Sequence, residues 1–83
     1  MAGGLSVKTK RKVIPFEQNG QFYYRKAKKY VESNNYIDAL SFYRKAVEKD
    51  PENLEYRLDL AQVFTEMGYY EESNQILLYI LQK

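Results

Sequence analysis

From residue 20 onward the sequence repeats itself at a spacing of 34 residues. Across that offset Tyr30 pairs with Phe64, Ala27 with Ala61, Glu32 with Glu66 and Asn34 with Gly68. Tyr36 likewise pairs with Tyr70, Asp38 with Glu72, Ala39 with Ser73 and Tyr43 with Leu77. A period of this length marks a helical solenoid built from two-helix units. One such unit cannot bury its apolar face alone, so units stack and leave a groove along one side. That architecture suits binding rather than catalysis.

Apolar periodicity predicts four helices. The first covers residues 18–33, where Tyr23, Ala27, Tyr30 and Val31 fall on one face. Ser33, Asn34 and Asn35 end it, because their side chains compete for backbone hydrogen bonds and tolerate turn geometry. The second covers 36–49, with Ala39, Leu40, Tyr43, Ala46 and Val47 inward, Asp38 in its first turn and Lys49 in its last. Asp50-Pro51 stops it, since proline lacks the N–H that the helix ladder needs. The third covers 53–67, with Tyr56 or Arg57, Leu60, Ala61, Phe64 and Met67 inward. Gly68 suits the left-handed residue that follows a helix end. The fourth covers 70–82. Its stretch Ile76 to Leu81 is apolar all round, a pattern that expects burial on more than one side.

The expected fold is therefore all-α, two tandem antiparallel helix pairs. Residues 1–17 read as a basic tail with a short extended segment around Pro15. Residues 18–83 read as the helical domain, with units 20–53 and 54–83.

Composition excludes most chemistry. The 83 residues contain no cysteine and no histidine, so Cys/His zinc sites and the usual nucleophile–histidine pairs cannot be built. The acidic pairs Asp50/Glu52 and Glu71/Glu72 lie at helix ends, where they complement the macrodipole. No catalytic residue, metal site or cofactor is expected, and the chain reads as non-enzymatic. No segment is long and apolar enough to span a bilayer, which makes a cytoplasmic location the simplest expectation. Charge is unevenly spread: residues 1–29 carry eight basic side chains against Glu17 alone, and residues 30–83 carry five against ten acidic ones. The run Lys8–Lys12, continued by Arg25, Lys28 and Lys29, keeps open an alternative as a nucleic-acid adaptor. An ordinary solvated charged surface accounts for the same residues.

The pattern resembles the tetratricopeptide repeat, whose signature is W-x2-L-G-x2-Y, A-x3-F and P. Tyr23, Lys26, Ala27 and Tyr30 stand in the first four slots, Ala39 and Tyr43 in the next pair, and Pro51 in the last. In the second unit Arg57, Leu60, Ala61 and Phe64 fill the first four, and Ser73 and Leu77 the next pair. The resemblance covers residues 20–83 and implies a short right-handed solenoid that binds a protein or peptide along the first helix of each unit. By that carry-over the groove is lined by Gln21, Tyr24, Lys28, Val31 and Glu32 from unit one. Unit two contributes Glu55, Leu58, Gln62, Thr65 and Glu66. One branch of the family clamps a terminal peptide carboxylate with lysine and asparagine. Here Tyr24 and Leu58 replace the key polar groups, so that ligand is not expected.

Two departures carry expectations of their own. Lys26 occupies an apolar slot and must snorkel or face a partner. Ile80 occupies a slot that usually holds alanine, which would crowd a standard following repeat. Two units are fewer than the three a solenoid generally needs. Cover for the fourth helix is therefore expected from self-association through Ile76, Leu77, Ile80 and Leu81, as a homodimer. The alternative is that the chain is the front of a longer array.

Overall fold

The computed structural model describes residues 19–83. The basic tail, the extended segment around Pro15 and the Lys8–Lys12 run lie outside the described residues. Among the described residues every regular element is α-helical: α1 (Gly20–Glu32), α2 (Tyr36–Lys49), α3 (Leu54–Glu66) and α4 (Tyr70–Leu81). Helix α1 packs on α2 and α3 on α4, giving two tandem hairpins, and α2 joins them by packing on α3.

Three of the four helices start where a side chain can satisfy a free N–H group. Asn19 accepts from the Phe22 N–H at 2.9 Å. Asn35 accepts from Asp38 N–H at 3.4 Å and donates back to the Asp38 carboxylate at 2.8 Å, a reciprocal cap. Asn53 accepts from Glu55 and Tyr56 N–H at 3.0 and 3.3 Å. Helix α4 differs: its N-cap is Tyr69, with no side-chain cap bond.

The first helix of each hairpin ends in the same way, 34 residues apart. Asn34 has φ of 60° and Gly68 has φ of 87°. Asn35 N–H donates to Tyr30 C=O and Tyr69 N–H to Phe64 C=O, both at 2.8 Å. These are Schellman closures, in which a left-handed residue turns the chain back over the last carbonyls. Between the hairpins, Asp50 ends α2 outside the helical region, at φ -141° and ψ 73°, and Arg57 ties the turn by donating two bonds to Pro51 C=O at 3.2 Å.

Small residues set the helix separation. Ala27 and Ala39 are fully buried in the first hairpin, and Ala61 and Ser73 nearly so in the second. Ser73 is the polar member, and its hydroxyl shares a 2.7 Å hydrogen bond with Thr65, so its burial leaves no polar atom unmatched. Tyr43, Leu60, Val63 and Phe64 complete the main core, with Ile76 packed against it. Tyr56 rather than Arg57 is the buried member of that pair, while the Arg57 guanidinium lies 4.3 Å from the centroid of the Tyr79 ring. Val63 is a core residue that the small–large spacing did not single out. Gly20 is buried at the start of α1, where a Cβ would come within 2.9 Å of Tyr56 and 3.2 Å of the Ala46 carbonyl oxygen. Its missing side chain lets α1 approach the α2–α3 turn.

Around Gly68 nothing lies within 4 Å of a Cβ position, so the cost of a side chain there is backbone strain alone. Gly68→Ala is expected to lose about 1–2 kcal/mol, lowering the thermal midpoint by several degrees. Gly68→Asn should lose clearly less, since asparagine already holds the equivalent position at Asn34. Equal midpoints for the two variants in thermal denaturation would contradict this.

Candidate functional site

An open hollow of about 240 Å3 lies between the two hairpins. Helix α1 supplies Lys28, Val31 and Glu32; α2 supplies Tyr36 and Tyr43; α3 supplies Asp59, Gln62, Val63 and Glu66. Spacings of i, i+3, i+4 on α1 and α3 and of i, i+7 on α2 explain the set, since they place those side chains in one row along each helix. The floor is aromatic and aliphatic and the rim is charged.

Tyr24 fixes the width of the hollow by bridging α1 to α3. Its ring stacks on Tyr56 with centroids 4.6 Å apart and tilts against Tyr43 at 5.8 Å. Its hydroxyl donates to Asp59 Oδ2 at 2.7 Å, with Glu55 Oε2 at 3.4 Å. The sequence expectation put Tyr24 in the groove; the structure commits its ring to the contact between hairpins, beside the hollow rather than in its lining. Lys28 leans back over that ring, with Nζ 5.2 Å from its centroid. On the rim Gln62 donates to Glu66 Oε2 at 3.2 Å.

The structure brings together Lys28, Val31, Glu32, Gln62 and Glu66 of the expected groove. Tyr24 and Glu55 meet beside it. Gln21 belongs to a separate hollow on the outer face of α1, with Phe22, Arg25, Lys26 and Lys29. Thr65 directs its hydroxyl to the Ala61 carbonyl and to Ser73, and Leu58 is half-exposed on α3 outside the hollow's lining. Tyr36, Tyr43, Asp59 and Val63 are lining residues that the repeat positions did not supply. Tyr36 and Tyr43 come from α2, which a first-helix rule passes over. Asp59 and Val63 follow once Tyr24 is seen to reach α3.

The basic residues of α1 divide between two faces. Lys28 joins the inter-hairpin hollow, whereas Arg25, Lys26 and Lys29 line the outer one. Lys26 snorkels there, its Nζ 6.0 Å from the centroid of Phe22 and 5.7 Å from that of Phe42. On α4, Ile76, Leu77 and Ile80 are half-buried, while Leu78 and Leu81 are 57% and 80% exposed and Tyr79 is exposed beside them. Toward the end of α4 the exposed apolar side chains are therefore Leu78, Tyr79 and Leu81, of which only Leu81 was singled out from the sequence.

Burial pushes the Tyr43 phenol up to about 12, with the Asp59 charge adding to it. Tyr24 is raised further, by burial first and then by its hydrogen bond to Asp59 and the charges of Asp59 and Glu55. Tyr56 is raised by burial and by Asp50 and Glu55, against a smaller opposing effect of Arg25. These phenols stay neutral at physiological pH, so they pack rather than act as bases, and Tyr24 donates hydrogen bonds as well. Among the described residues no cluster of metal-binding side chains occurs, and no helix is long and apolar enough to cross a membrane.

Because the folded state holds these phenolic protons more tightly than the unfolded chain, whose tyrosines ionise near 10, their contribution is complete below pH 10. It is lost as pH rises from 10 to about 12. Helicity is expected to collapse in that window together with the late-ionising tyrosines. The check is circular dichroism recorded beside tyrosinate absorbance. Complete tyrosine ionisation near pH 10 with the helices intact would oppose it.

Comparison with known proteins adds to this geometry. The sequence profile of the family described as "Tetratricopeptide repeat" matches residues 17–82. The chain is 34% identical over 74 residues to the TPR repeat-containing protein YvcD of Bacillus subtilis (strain 168). That match covers 89% of this chain and 15% of YvcD. No solved structure matches.

Proposed function

The chain belongs to the tetratricopeptide repeat family, and from that premise we propose that its two hairpins bind a peptide or helix of a partner protein in the hollow between α1 and α3. The family is one of protein–protein interaction modules, and the function proposed here is non-catalytic. The observation that carries the reading is the hollow itself. Both hairpins line it, and its rim residues Lys28, Glu32, Gln62 and Glu66 are exposed and spared from the core. Side chains held by two packed hairpins present a largely preformed surface, which reduces the ordering cost of binding.

Gln62→Trp would fill the hollow from an exposed position without replacing a buried residue, and Ser41→Trp places the same bulk on an exposed position of α2 outside it. Partner capture is expected to fail for Gln62→Trp and persist for Ser41→Trp, with equal helicity by circular dichroism. Retention of the same partners by both variants would refute the site.

A second reading has its own observation, the exposed Leu78, Tyr79 and Leu81 on α4. Full burial of one such side chain is worth about 1.5–3 kcal/mol, which favours a two-fold self-association through α4. In a longer array a following hairpin would take the same face. Light scattering on the 83-residue chain is expected to give a dimer mass that Leu78→Lys with Leu81→Lys halves. A monomer at high micromolar concentration removes this reading. Of the α1 cations that the nucleic-acid alternative would use, Arg25, Lys26 and Lys29 share the outer face and Lys28 lies on the inner one.

A further inference from the structure

The inter-hairpin hollow has a charge and a shape that select among peptides. Its rim carries Glu32, Asp59 and Glu66 against the single cation Lys28. That lysine is drawn toward the Tyr24 ring. Between the carboxylates the surface is formed by Val31, Tyr36, Tyr43 and Val63. A hollow walled by aromatic and aliphatic groups screens charge less than open water, so the sign of the rim matters more there.

Three ligand chemistries can be compared. An acidic segment would bring like charge against three carboxylates, which costs affinity and slows encounter. An apolar segment would strip water from those carboxylates and return no partner to them. A lysine or arginine side chain meets both demands. Its methylene stem can lie along valine and tyrosine, its cation can face the tyrosine rings, and its head can donate to carboxylate oxygens.

Two of the three carboxylates are also hydrogen-bonded within the protein. Asp59 accepts from the Tyr24 hydroxyl and Glu66 from the Gln62 amide. An ionised carboxylate offers about four acceptor sites, so each retains capacity for a ligand. The raised Tyr43 phenol, for which the Asp59 charge is a contributing cause, agrees with a negative potential at the floor. On the other side of α1 the outer hollow is cationic, with Arg25, Lys26 and Lys29. The field across α1 thus directs a basic segment away from the outer face and toward the inner one.

We propose that the occupant of this hollow is a basic segment of a partner protein, with a lysine or arginine side chain seated over Tyr36 and Tyr43 and its head held among Glu32, Asp59 and Glu66. This rests on the groove reading above and names the class of its ligand.

The test is an amide-shift titration of the full chain by nuclear magnetic resonance with three short Ser/Gly peptides. One carries arginines, one carries glutamines and one carries glutamates at the same positions. The arginine peptide is expected to shift Val31, Tyr36, Gln62 and Val63, and to weaken as salt is raised. Glu32→Gln combined with Glu66→Gln, both exposed positions, is expected to weaken it about tenfold or more, as loss of charge-assisted hydrogen bonds requires. Equal binding of the glutamine or glutamate peptide, or no loss in the double variant, would overturn the charge assignment while leaving a peptide groove in place. Arginine-peptide shifts confined to other surfaces would overturn it as well. If no peptide of any class, at millimolar concentration, moves the groove resonances, both the assignment and the groove fall.

Discussion

Tyr24 holds the two hairpins in register. It combines a stacked contact with Tyr56, a tilted contact with Tyr43 and a hydroxyl bond to Asp59. Each such aromatic contact contributes about 0.5–1.5 kcal/mol beyond area burial, and together they reach across from α1 to α3. Within a hairpin, Ala27 with Ala39 and Ala61 with Ser73 let the helices approach. Between hairpins the small residue Gly20, beside Ala46, meets the Tyr56 ring, and the large rings span the rest of the contact. The width of the hollow follows from that choice, because one ring pair separates the helices that form its walls.

The sequence showed the hairpins clearly and the hollow only in part. Period and punctuation set helix ends to within a residue or two, because Asn34, Pro51 and Gly68 act locally on the backbone. The equivalence of Asn34 and Gly68 was visible as a match across the repeat, and the two proved to share one backbone closure. Core positions were legible where small and large residues alternate in phase. Val63 was missed because its counterpart in the first unit is Lys29, which lines the outer hollow of α1. The same residue slot is buried in α3 and solvated in α1, since only α3 has a hairpin packed in front of it.

That asymmetry explains the site as well. A rule that assigns the groove to the first helix of each unit finds Lys28 and Gln62 but treats all units alike. In a two-hairpin molecule the positions are not alike. Tyr24 is covered by α3, whereas its counterpart Leu58 is half-exposed. Contributions from α2, such as Tyr36 and Tyr43, depend on how the hairpins lean against each other. Tertiary packing decides that, and no spacing in the chain encodes it directly.

The bare start of α4 has a consequence for motion. Asparagine closes the N-terminus of each of the other three helices, whereas Tyr69 offers α4 no side-chain bond, and Ser73 is its one buried residue. An element with so few buried contacts and an open first turn has the smallest opening free energy among the four described helices. Amide exchange should therefore run fastest along α4 and slowest where Ala27, Ala39 and Tyr43 meet. The hollow is built entirely on α1, α2 and α3. Loosening of the last helix therefore removes none of the side chains that line the hollow.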